Sequence, residues 1–143
     1  MKTSARNQFP GRVSRVERGP ITTEVTVALA GGEQITAALT TRSADDMKLV
    51  AGREVAALVK ASSIVIVADA ADYILSARNQ LAGTVSRVEK GAVSSIVGIT
   101  LAGGSVVTAS VTNDSVAALG LAVGTSATAV FKAFSVLLAV KKS

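Results

Sequence analysis

The stretch Ser4-Ala5-Arg6-Asn7-Gln8 returns letter for letter as Ser76-Ala77-Arg78-Asn79-Gln80, 72 positions later. At that offset the comparison runs without a gap from Ser4/Ser76 to Ala68/Val140, and 27 of the 65 pairs are identical. The chain is therefore read as two copies of one module, residues 1–68 and 73–143. Asp69-Ala70-Ala71-Asp72 is the linker between them. So short a linker leaves little slack, and the copies are expected to touch.

Each copy reads as short strands with one helical insert. Gln8 to Glu17 forms a first strand, and its apolar Val13 and Val16 are three apart, which hints at a bulge. Arg18-Gly19-Pro20 is a turn. Ile21 to Leu29 is a second strand, Ala30-Gly31-Gly32-Glu33 a hairpin connection, and Gln34 to Thr40 a third strand of alternating polarity. Ser43 is expected to N-cap a short helix, with Asp46 completing a capping box. Glu54 to Lys60 and Ile64 to Val67 supply strands four and five. Three strands, a short helix and two strands are the element order of an OB-fold. The fold class is thus all-β: two tandem OB-fold-like Greek-key barrels, each with one short helix between strands 3 and 4.

Composition narrows the chemistry. The 143 residues are 49% hydrophobic with mean hydropathy +0.48, yet only 3% aromatic. Modules of about 70 residues bury limited cores, so this much apolar surface points to an oligomer. The longest apolar runs, such as Ile64 to Ala68 and Val136 to Val140, fall far short of the roughly twenty residues of a spanning helix. The opening Met1-Lys2-Thr3-Ser4 lacks the apolar core of a secretory signal, which makes cytoplasmic residence the expectation. With no Cys and no His, disulfides, Ser-His and Cys-His catalysis and His-rich metal sites are excluded. The chain is not expected to be an enzyme or to hold a bare metal cation. A net charge of +5 points to an anionic partner.

Polar identities kept in both copies are few. They include Ser4/Ser76, Arg6/Arg78, Asn7/Asn79, Gln8/Gln80, Ser14/Ser86, Arg15/Arg87, Glu17/Glu89, Thr40/Thr112, Ser43/Ser115, Lys60/Lys132 and Ser63/Ser135. Glu24, by contrast, becomes Ile96 and reads as ordinary solvated surface. Asn7 and Gln8 read as ties from the chain end to a neighbouring strand, and Arg15 with Glu17 as a surface or interface pair. The retained Ser, Thr, Arg and Lys are donors, and T-x-x-S before a helix adds backbone N–H groups. A tetrahedral dianion suits that set.

SARNQ at each module start, the AGG hairpin, T-x-x-S and a Lys-Ala pair before the last strand resemble the Mop, or molbindin, family, in a tandem di-Mop arrangement. The resemblance implies a cytoplasmic molybdate- or tungstate-binding protein for molybdenum storage, buffering or homeostasis, without an organic cofactor. It also implies a homotrimer with the oxyanion at module and subunit interfaces. Carried over, Ser4, Arg6, Ser76 and Arg78 from one module face Thr40, Ser43, Lys60, Thr112, Ser115 and Lys132 from a neighbour. Backbone N–H groups at Ala61 and Ala133 join them. A second, axial site falls on Gly19-Pro20-Ile21-Thr22 and Gly91-Ala92-Val93-Ser94. Two departures are Ser62 against Phe134 and Pro10 against Ala82.

The rival reading is an OB-fold that binds nucleic acid. Single-strand binders stack bases on aromatic platforms, and none of Phe9, Tyr73, Phe131 or Phe134 has an aromatic counterpart in the other copy. A regulatory sensor would need an output domain, for which 143 residues leave no room. A bare structural oligomer with incidental anion binding is the third alternative.

Overall fold

The structure is a computed structural model that describes residues 1–142. Ser143, the last residue of the second module as bounded above, lies outside the described residues. Repeat one forms β1 (Asn7–Arg18), β2 (Thr22–Leu29), β3 (Gln34–Thr40), α1 (Thr41–Asp46), β4 (Glu54–Val59) and β5 (Val65–Val67). Repeat two gives β6 (Asn79–Lys90), β7 (Ser94–Leu101), β8 (Val106–Thr112), α2 (Asn113–Leu119), β9 (Ser126–Phe131) and β10 (Leu137–Ala139).

β1 is long because it serves two neighbours. Asn7 to Arg12 pair with β4, and Gly11 to Arg18 pair with β2. The ladder shifts between Val13 and Arg15, and again between Val85 and Arg87, so the expected bulge is present in both repeats. A bulge raises local twist and lets one strand curl from one partner to the next. Gly11 and Gly83 sit where that curl brings backbones together. A Cβ on Gly11 would lie 2.6 Å from the Ala28 carbonyl oxygen, and one on Gly83 2.4 Å from that of Thr100.

The two five-stranded sheets do not follow the repeats. Their orders are β10-β4-β1-β2-β3 and β5-β9-β6-β7-β8. Each repeat supplies four strands to its own sheet and gives its last strand to the other: Leu138 pairs with Ala57, and Ile66 with Ala129. The expected modules each kept all five of their own strands; the observed pairing exchanges the fifth. The linker makes a 3-10 turn over Ala70–Asp72 between the exchanged strand and the second SARNQ.

One apolar cluster runs through both repeats. It joins Val25, Val27, Ile35 and Val59 of the first to Val97, Ile99, Val107 and Phe131 of the second. The strict alternation of β2 and β7 makes this possible, since every second side chain faces inward. The AGG hairpins also meet. The Gly103 N–H donates to a Glu33 carboxylate oxygen at 2.7 Å, and a Cβ on Gly31 would lie 2.6 Å from the Gly103 carbonyl oxygen. Gly31 is thus required by backbone-to-backbone contact, and Gly32, at φ 98°, by the turn.

Candidate functional site

The asparagines of the two SARNQ segments are buried, at 1% and 2% exposure for Asn7 and Asn79. The Asn7 carboxamide accepts from Thr108 N at 2.7 Å and donates to Thr108 O at 2.8 Å. Asn79 makes the same pair with Thr36, both bonds 2.8 Å. Each asparagine therefore mimics one rung of a β-ladder on the third strand of the opposite repeat. That agrees with the reading of Asn7 as a tie to a neighbouring strand, and adds that the strand belongs to the other repeat. Thr36 and Thr108 escaped the sequence reading although they are identical in both copies. Gln80 turns back locally, donating to Ala77 O at 2.9 Å.

With the asparagine pinned, the rest of the segment is set. Ser4, Arg6, Ser76 and Arg78 are exposed. The last pairs of the β1–β4 and β6–β9 ladders are Asn7 with Val59 and Asn79 with Phe131. One residue further out stand Arg6 with Lys60, and Arg78 with Lys132. The resemblance implies a lysine from a neighbouring module; within this chain the register also sets each lysine at the ladder end of its own repeat's arginine. Each lysine leads into a 3-10 turn, Ala61–Ser63 or Ala133–Ser135, whose first alanine is buried. These turns cross over too: Ala133–Ser135 packs on β3 and Ala61–Ser63 on β8.

At the end of β3 the cap differs from expectation. Thr40, not Ser43, is the N-cap of α1: its Oγ1 accepts from Ser43 N at 3.1 Å. Thr112 does the same for α2 with Ser115 N, also at 3.1 Å. Threonine fits because it stands in extended backbone one residue before the first turn, where its hydroxyl reaches the third N–H. Each threonine hydroxyl also donates to the serine Oγ, at 2.9 Å for Ser43 and 2.8 Å for Ser115. The serine proton is left as the donor available outside.

The second SARNQ has two anchors on repeat one. Asn79 sits at Thr36, and Arg78 Nη1 donates to Glu24 Oε1 at 2.6 Å. Glu24 pairs with Ala38 in the β2–β3 register, so moving from Asn79 to Arg78 brings the segment closer to Thr40. Glu24 is therefore not plain solvated surface, as its change to Ile96 had suggested. Arg15 and Arg87 form exposed pairs with Glu17 and Glu89 two residues along the same strand. The hydrogen bond from Arg87, then its charge, holds the Glu89 carboxyl below its usual range, and the charge of Arg6 adds in the same direction.

The turns proposed for an axial site are built alike. Gly19 N donates to Thr22 O at 3.1 Å, and Gly91 N to Ser94 O at 2.9 Å. Thr41 Oγ1 ties the first turn to its helix through Gly19 O at 2.7 Å; Asn113 Nδ2 does so for the second through Gly91 O at 2.9 Å. Pro20 and Ala92 are exposed, and Ile21 and Val93 stand out at 78% and 75% exposure. Phe134, where repeat one has Ser62, is also exposed. A cleft of about 1260 Å³ between Pro10, Leu29, Arg53, Val55 and Val140 contains none of the candidate residues.

Residues 3–66 and 75–138 each match the TOBE domain. The chain belongs to the TOBE domain family, as two Mop-type copies in tandem. It is 57% identical over 142 residues to the molybdenum transport protein ModE of Herbaspirillum seropedicae, covering 99% of this chain and 53% of that one. It is 46% identical over 140 residues to ModE of Azotobacter vinelandii, covering 98% and 52%. The chain thus spans about half the length of these curated relatives. Among solved structures it superposes on the cytoplasmic molybdate-binding protein ModG, in a form with molybdate bound, with a TM-score of 0.95. That match has 47% identity and covers 99% of this chain and 100% of ModG.

Proposed function

We propose that the chain binds molybdate or tungstate where each SARNQ segment meets the T-x-x-S of the opposite repeat. Ser76, Arg78 and Lys132 would act with Thr40 and Ser43, and Ser4, Arg6 and Lys60 with Thr112 and Ser115. Backbone N–H groups at Ala61 and Ala133 complete the two sets. The observation that carries this reading is the crossed Asn–Thr pairing, which aims the Ser and Arg of one repeat at the third strand of the other. Hydroxyls, a guanidinium and an ammonium supply charge-assisted donors on several sides of a tetrahedral dianion. The names of the ModE relatives and the bound state of ModG support the same ligand.

The role that follows is storage, buffering or delivery of the oxyanion in the cytoplasm, with no catalytic step and no organic cofactor. Chains assemble as a homo-oligomer, a trimer in the resemblance, for which exposed Ile21, Val93, Val65 and Leu137 supply apolar contacts at repeat-equivalent positions. Gly19 to Thr22 and Gly91 to Ser94 would then face one another on the axis as a second site.

Calorimetric titration tests the reading. Wild-type protein should take up molybdate and tungstate. A variant with both Arg6→Ala and Arg78→Ala should lose most of the affinity, because a hydrogen bond to a charged group contributes about 1.5–3 kcal/mol. Unchanged binding in that variant, with an unchanged circular dichroism spectrum, would refute the site.

A further inference from the structure

Arg78 and Arg6 occupy equivalent positions in the sequence repeat but not in charge. Arg78 Nη1 lies 2.6 Å from Glu24 Oε1, and the Glu24 side chain is only 32% exposed. This is the one ion pair that joins the two repeats among the described residues. At the position equivalent to Glu24, repeat two has Ile96, half-buried and opposite Glu89 in the β6–β7 register. An aliphatic side chain there offers Arg6 no carboxylate.

We propose that Glu24 is an affinity-setting residue that makes the two oxyanion sites unequal, resting on the molybdate reading above. Its carboxylate already occupies a guanidinium edge of Arg78 and places a negative charge beside any dianion bound there. The anion must displace Glu24 or share Arg78 with it. Among the described residues Arg6 makes no ion pair; Glu89, which feels its charge, is bonded to Arg87, so an anion there meets no carboxylate already bound to the guanidinium. Binding should therefore come in two classes, with Arg6 sites filling first. Ion pairs at partly exposed positions have modest strength, so the classes should differ by about three- to tenfold in Kd.

Three single variants, each checked for an unchanged melting temperature, test this by molybdate calorimetry. Glu24→Ile copies repeat two into repeat one and should merge the two SARNQ-site classes into one tight class. Glu24→Gln keeps a hydrogen-bond acceptor for Arg78 but removes the charge, and should also tighten the weaker class. Ile96→Glu should convert the tight class into the weak one. Isotherms of Glu24→Ile and Glu24→Gln that superpose on a single-class wild type would overturn the proposal and leave the molybdate reading intact. Weaker binding in Glu24→Gln would overturn it too, by showing that Glu24 positions Arg78 instead of competing for it. A wild type that takes up no molybdate would end both readings.

Discussion

Asn7 and Thr108 are 101 residues apart, yet the Asn7 carboxamide bonds both backbone groups of Thr108, at 2.7 and 2.8 Å. Together with Asn79 and Thr36, this pair locks each SARNQ to the other repeat. Replacing Asn7 by Ala leaves a partly buried N–H and C=O of Thr108 without their partners. Each orphaned group costs about 1–3 kcal/mol. Asn7→Ala and Asn79→Ala should each lower the denaturant midpoint markedly, and an unchanged midpoint in either would contradict this role.

The strand exchange predicts how the chain behaves when cut. A protease site placed within Asp69 to Asp72 should yield two fragments that stay together on size exclusion, because each sheet needs the other fragment's last strand. They should part only in denaturant. Two separately migrating, folded halves would show that each repeat keeps its own fifth strand.

Much of this fold is legible in the sequence. The Val13/Val16 spacing marks the bulge, the AGG segments mark the hairpins, and the strand limits fall within one residue or two. The exchange is not legible. Ile64 to Val67 and Val136 to Val140 are both short apolar runs at the same offset from their repeats, so side-chain pattern cannot say which sheet either completes. Thr40 and Ser43 are equally good caps by type, and only the backbone position of Thr40 decides between them. Glu24 looks expendable in a comparison of repeats because its partner, Arg78, lies in the other one. The donor residues of the candidate site were legible because duplication kept their identity.

Lys48 and Gly120 occupy the same place after their helices, both left-handed, at φ 54° and 63°. Repeat two uses glycine, which has no Cβ to clash there. Lys48→Gly should therefore stabilise the protein by roughly 0.5–1 kcal/mol, the strain of a left-handed residue less the added chain entropy. Thermal unfolding reads the sign; a lower midpoint would contradict the strain argument.

Asp45 hydrogen-bonds Arg18 at 2.7 and 3.2 Å, and that bond holds its carboxyl below the ordinary value of 3.8. Glu89 is held below 4.5 by Arg87. Both folded values are depressed, so their contributions are present above those ordinary values and fade as pH falls through the folded ones. Both groups are solvent-exposed, so the effect is small. Asp45→Asn should narrow the gap between melting temperatures at pH 6 and pH 3, and a gap as wide as that of wild type would contradict the assignment.

Phosphate gives a selectivity test. The proposed donors favour an anion with no proton of its own, and every phosphate ion keeps at least one proton near neutral pH. An O–H set against a donor leaves both unsatisfied, at about 1–3 kcal/mol. Tungstate should displace molybdate in competition calorimetry while phosphate at equal concentration should not. Equal competition by phosphate would refute this.

The position of the oxyanion is tested most directly by anomalous diffraction at the molybdenum edge from crystals grown with molybdate. Molybdenum peaks should lie within hydrogen-bonding reach of Arg6 and Lys60, and of Arg78 and Lys132, with Thr112/Ser115 and Thr40/Ser43 closing the shell. Peaks confined to the cleft beside Pro10 and Arg53, or no peak near any SARNQ arginine, would contradict the account.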